Sequence, residues 1–191
     1  TGLWTDWPKM FRGETLPELK KNMVGHKVVS VTRRGKHILV HLNNSKTIII
    51  HMKMTGHLLY GKWKIRKGKW IPDEKGPLND PFNRFIHAVF SLSNGKHVAF
   101  SDTRKFGKIV TADTKELAHS PHLAHLGPEP LLKEFDYGVF KERISKKPRG
   151  KIKTVLLDQT VIAGIGNIYS DEMLWHSAIH PETRVGEITK E

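Results

Sequence analysis

Between Lys27 and Val110 apolar and polar positions alternate in short runs rich in β-branched residues, the mark of half-buried strands. The runs KVVSVTR, HILVHL, KTIIIHM, IHAVFSL and HVAFSD are punctuated by Gly35, Asn43-Asn44 and Asn94-Gly95, so the pattern predicts antiparallel hairpins. No helical crossover of adequate length separates them, which favours a β-sandwich or barrel over a parallel sheet. The basic, Gly- and Pro-rich stretch 61–84 has no pattern and is expected to be a surface excursion or a partly mobile loop. Helical periodicity begins after Pro128 and Pro130, which cannot sit inside a regular element, so a junction is expected there. It divides a β-rich domain, 1–127, from a helical one, 128–191. Asp136 is placed to cap a helix burying Val139, Phe140 and Ile144. KIKTVLLDQ supplies a second helix with Val155, Leu156 and Leu157 inward. A third starts near Gly166, with Ile168, Met173 or Leu174, and Trp175 as its apolar side, and Pro181 lies past its end. The fold class is α+β.

Composition narrows the partner. The 191 residues suffice for one sizeable core or two small ones. Cysteine is absent, which removes disulfides and thiolate metal sites. No apolar run approaches the length of a bilayer span and the first residues do not form a signal peptide, so the cytoplasm is expected. Thirty-two Lys and Arg against nineteen Asp and Glu give a net charge of +13, which favours a polyanion, nucleic acid first.

Four short stretches could carry chemistry. In IAGIGNIYSDE, residues 162–172, two glycines and an asparagine precede a helix. A helix start offers unpaired N–H groups and partial positive charge, and glycines remove side chains that would hold a phosphate away. The other reading is a tight turn between packed helices, with the glycines serving the backbone alone. A dinucleotide loop is excluded, because Tyr169 takes the third glycine's place and no strand precedes it. In RRGKH, Gly35 allows a tight turn that sets Arg33, Arg34 and Lys36 at a hairpin tip, for nucleic-acid contact or simply for solubility. In HMKMTG, an extended chain puts Met52 and Met54 on one face, as core or with one exposed to wedge between bases. In SDTRKFGK, Arg104 and Phe106 leave a strand together, fit to fill a gap in a base stack, unless Phe106 is core. His119, His122 and His125 recur every third residue, but Pro121 interrupts them and no metal site is expected. Ser101 and Asp102 with a histidine make a triad only on paper, since no nucleophile elbow supports it.

In this order, TRRGKHILVHL, HMKMTGHL, SDTRKFGK, HLGPEPL, IKTVLLDQ and IAGIGNIYSDEMLWHSAIHPE resemble the formamidopyrimidine-DNA glycosylase family, from about Phe11 to Glu182. The resemblance implies a β-rich domain joined to a helix-two-turn-helix domain, with DNA in the cleft between them. It implies base-excision repair: removal of oxidised purines such as 8-oxoguanine and formamidopyrimidines, then strand cleavage by successive eliminations through a Schiff base. The nucleophile is an N-terminal proline amine, and the following glutamate acts as acid and base. Lys36 matches the family lysine that donates a proton in β-elimination and binds phosphate. Met54, Arg104 and Phe106 match the residues that fill the void left by the damaged base, with Arg104 also pairing the orphaned cytosine. Asn167, Lys153 and the backbone near Gly166 match the phosphate clamp. Arg149 is an extra phosphate contact, although KKPRGK does not align cleanly. Phe85 stands where the family has a phosphate-binding histidine, so either Arg84 substitutes or one contact is lost.

The family's proline and glutamate have no counterpart in TGLWTDWPKM, and its zinc finger, which would bind one zinc through four cysteines, has none either. The expectation is a piece of a glycosylase and abasic-site lyase that grips DNA, holds no cofactor and, as these residues alone, does not excise. The alternative is a short paralogue that binds damaged or abasic DNA without excision. The resemblance implies a monomer associated with the nucleoid, while an open sheet edge would permit self-association.

Overall fold

A computed structural model describes residues 1–188, and its contacts divide them into two compact units. The first comprises Thr1–Thr32 and His37–Leu117, and the second comprises Arg33–Lys36 with the chain from Ala118 onward. The division falls earlier than Pro128 and carries the turn Arg33–Lys36 into the second unit.

The first unit holds β1 (Gly2–Thr5), α1 (Leu16–Met23), β2 (Val28–Arg34, its last residues shared with the second unit), β3 (His37–Leu42), β4 (Lys46–His51), β5 (Gly56–Gly61), β6 (Trp63–Arg66), β7 (Lys69–Pro72), β8 (Ile86–Ser91), β9 (His97–Asp102) and β10 (Lys108–Asp113). One sheet has the order β1-β8-β9-β5, another β10-β4-β3-β2, and β6 pairs only with β7. Every pairing for which a register is resolved within the sheets is antiparallel. Leu3, Ala88 and Phe100 of the first sheet join Leu42, Ile48, Ile50 and Ile109 of the second in one buried cluster, which is sandwich packing. Leu19 and Met23, four apart on α1, complete that core.

The five strands expected from alternation are all present. Stretch 61–84 departs from expectation. Its first part is the β6-β7 hairpin, turning at Lys67 and Gly68, both left-handed as a two-residue turn demands. In β6 only Trp63 is buried and Ile65 is exposed, so no alternation of burial marks this strand.

The second unit contains α2 (Tyr137–Ser145), α3 (Ile152–Leu157) and α4 (Asn167–His176). Asp136 caps α2 as expected, its carboxylate accepting from the Val139 N–H at 2.8 Å. Phe140 and Ile144 pack half-buried against a core of Ile152, Val155, Leu156, Ile162 and Leu174. Leu157 is only half-buried. Of the apolar side expected on α4 only Leu174 faces inward, together with Ser170, while Ile168, Met173 and Trp175 are exposed. The inward pair is i, i+4, so the helix is oriented by a small residue and one leucine rather than by its largest side chains.

Candidate nucleic-acid interface

In the second unit the turn after β2 is built around one carboxylate. Glu129, buried at 8% exposure, takes Arg33 Nη2 at 2.6 Å, Arg34 Nη1 at 3.3 Å and the Gly35 N–H at 2.9 Å. Arg34 also donates to the carbonyls of Leu126 and Gly127, and Arg33 to that of Gly35. The two arginines therefore brace the turn, against the expectation that they stand out at its tip. Gly35 has a φ of 54°, so its conformation calls for glycine, while a Cβ there would make ordinary contact with Leu126 and Ala163. Lys36 is exposed.

The Lys36 ammonium lies against the start of α4. A Cβ placed on Gly166 would stand 3.6 Å from its Nζ. Gly166 is the N-cap of α4 and contributes no side-chain hydrogen bond, so the first-turn N–H groups have no side-chain cap. Gly164 serves the backbone: its φ is 94°, and its N–H donates to Gln159 Oε1 at 2.9 Å. Gly164 thus fits the tight-turn reading of this stretch. Asn167 is exposed at the first helical position. Lys153 Nζ pairs with Asp171 at 2.6 Å, and Arg149 is exposed between α2 and α3.

In the first unit, Met54, Arg104 and Phe106 come together. Arg104 lies 4.6 Å above the Phe106 ring and its Nη1 is 3.1 Å from Met54 Sδ. Met54 is 72% exposed and Phe106 47%, so Phe106 is not core. Met52 and Met54 part company: β4 ends at His51, Lys53 turns left-handed with φ 58°, and only Met52 packs on the core. Sequence reasoning missed what holds the trio. Asp102, fully buried, accepts from the Thr55 hydroxyl, from Arg104 N–H at 3.2 Å and from Phe106 and Gly107 N–H at 2.8 Å each. Burial pushes its carboxyl up, but the hydrogen bonds from Thr55 and from Gly107, Arg104 and Phe106 outweigh this and hold it below the usual range. Thr55 Oγ1 also accepts from the Arg104 N–H, tying the Met54 turn to the Arg104 turn. These bonds give Asp102 a structural use in place of a triad.

Arg84 is exposed and stacks on Phe85 at 4.9 Å. Among the described residues no three His, Asp or Glu are grouped to hold a metal, and with no cysteine the chain does not fit a thiolate zinc centre. No helix among them is long and apolar enough to cross a membrane.

The formamidopyrimidine-DNA glycosylase N-terminal domain model matches residues 2–109, and the formamidopyrimidine-DNA glycosylase H2TH domain model matches residues 126–191. The chain belongs to the formamidopyrimidine-DNA glycosylase family. A formamidopyrimidine-DNA glycosylase of Desulforamulus reducens is 37% identical over 82% of the chain, and one of Pelotomaculum thermopropionicum 36% over 99%. The chain spans 51% and 63% of the length of these two relatives. Lactococcus lactis Fpg in complex with DNA containing an abasic site is a structural neighbour at TM-score 0.81 and 28% identity, covering 98% of this chain and 63% of that one. The same enzyme with FAPY-dG-containing DNA matches at 0.81 and 28%, covering 98% and 64%. The sandwich and the helical region are the two parts of the family's α+β fold.

Proposed function

We propose that this chain works in DNA base-excision repair as a formamidopyrimidine-type glycosylase with abasic-site lyase chemistry, and that its residues grip damaged duplex DNA. The observation that carries this is the Lys36 ammonium against the uncapped start of α4. An ammonium and a row of N–H groups that share one approach form a phosphate site, and the bare Cα of Gly166 leaves it open. Lys36 would also sit at the strand break, as proton donor to a departing phosphate. Asn167 and Lys153 complete the clamp, Lys153 turning from Asp171 to the phosphate, with Arg149 as an outer contact; Arg84, in the first unit, is a separate contact to DNA. The exposed Met54, Arg104 and Phe106 enter the stack where a base has swung out, Arg104 donating to the orphaned base.

The test is affinity for a duplex carrying a tetrahydrofuran abasic analogue. Lys36→Ala or Asn167→Ala should weaken binding about tenfold, the worth of one charge-assisted contact. Unchanged affinity in both variants overturns the clamp. A polypeptide of these 191 residues, with Thr1 first, should give no borohydride-trapped adduct with 8-oxoguanine DNA, because the family's attacking amine belongs to an N-terminal proline. An adduct in good yield would move the nucleophile to another amine.

A further inference from the structure

We infer a second phosphate site in the first unit, beside Phe106, that takes a backbone phosphodiester of the DNA which Phe106 enters. This rests on the proposed grip on DNA and adds residues to it. A hollow of about 290 Å³ is lined by Trp7, Arg12, Lys53, Lys105, Phe106 and Lys108. Four cations thus surround one small space with two aromatic walls. Among the described residues none of the four has an ion pair with a carboxylate. Asp102, the acid beneath this loop, is buried with its oxygens taken by Thr55 and by loop N–H groups.

The cations come from three separate stretches, around Arg12, around Lys53 and from Lys105 to Lys108. Arg12 N–H donates to the Ile109 carbonyl at 3.1 Å, which sets Arg12 beside the start of β10, and Lys108 is held there in register with His51. Lys53 N–H donates to His51 Nδ1 at 3.0 Å. Lys53 and Lys105 both have left-handed backbones, with φ of 58° and 54°, which is uncommon for lysine. Two strained turns that bring like charges to one space are costly unless an anion offsets the repulsion. The spacing suits a phosphodiester, because Lys53 precedes Met54 and Lys105 lies between Arg104 and Phe106, so any phosphate held here flanks the intercalating side chains. Trp7 offers its ring to the adjoining sugar or base.

The experiment measures affinity for the abasic-analogue duplex across a salt series, with wild type, Arg12→Gln/Lys108→Gln, and Lys105→Gly. The glycine variant removes a charge at a backbone conformation that glycine adopts freely, so it keeps the loop foldable. Each variant should lower the slope of log affinity against log salt by about 0.9, the loss of one phosphate contact. A scan of single neutral methylphosphonate linkages should then find one position that weakens wild type and leaves the variants unaffected. Slopes equal to wild type, or no such position, overturn the site. Lys36→Ala is the parallel control: a loss there with unchanged Arg12/Lys108 and Lys105 variants overturns this site alone, whereas wild type without affinity for DNA overturns the function as well.

Discussion

Single carboxylates organise what the exposed residues do. Asp102 holds four donors, so Asp102→Ala leaves buried N–H groups unpaired and should cost about 2–3 kcal/mol in urea denaturation. It should weaken abasic-DNA binding too, because the Arg104 and Phe106 turn loses its anchor. Asp158 does the same for the turn before α4, accepting from Thr160 N–H at 2.9 Å and its hydroxyl at 2.7 Å, and pairing with Lys147. Lys147 first, then Thr160, draw its carboxyl down to about 2. A depressed carboxyl stabilises the fold above its unfolded value, and that contribution fades as pH falls from about 4 through about 2. Asp158→Asn should therefore lower stability at neutral pH by about 1–2 kcal/mol and converge with wild type in acid, as denaturation at several pH values will read. Lys36, Met54, Arg104, Phe106 and Asn167 stand out as candidates in the sequence because each lies in a short motif of chain neighbours. Glu129 and Thr55 do not, because each acquires its role from a partner brought near only by folding.

Elements were legible where burial matched period. β4, β8 and β9 carry unbroken or alternating apolar runs and were visible for that reason. Helix α1 is not among the expected elements, although TLPE spells its capping box: the Glu18 carboxylate accepts from the Thr15 N–H at 2.8 Å and Thr15 Oγ1 from the Glu18 N–H. Strand β2 shows the opposite case. It is an edge strand, and Val28, Val29 and Val31 are exposed on both its faces. An edge of this kind recruits other strands. Val29→Lys/Val31→Lys should shift this polypeptide toward monomer in sedimentation, and an unchanged distribution would show that β2 is not where copies meet.

On the scale of the whole molecule, a charge of +13 acts in two opposite directions. Like charges repel one another in the compact state, so added salt should raise the melting temperature by screening them. The same salt should weaken DNA binding, because each counterion released from the DNA gains less entropy as the bulk concentration rises. Thermal melts and binding isotherms taken over one salt series should move in opposite directions. Parallel movement would mean that specific ion pairs, and not the overall charge, control stability.

Arg33–Lys36 belongs to the second unit although it is encoded inside the first. A gene fragment starting at Ala118 would therefore leave Glu129, a buried carboxylate, facing none of its three donors. An uncompensated charge of that kind is strongly destabilising. The compact second unit and the stretch 126–191 matched by the H2TH domain model thus have different bounds. Chimaeras that exchange the helical half with a relative's should carry the four-residue turn along with it.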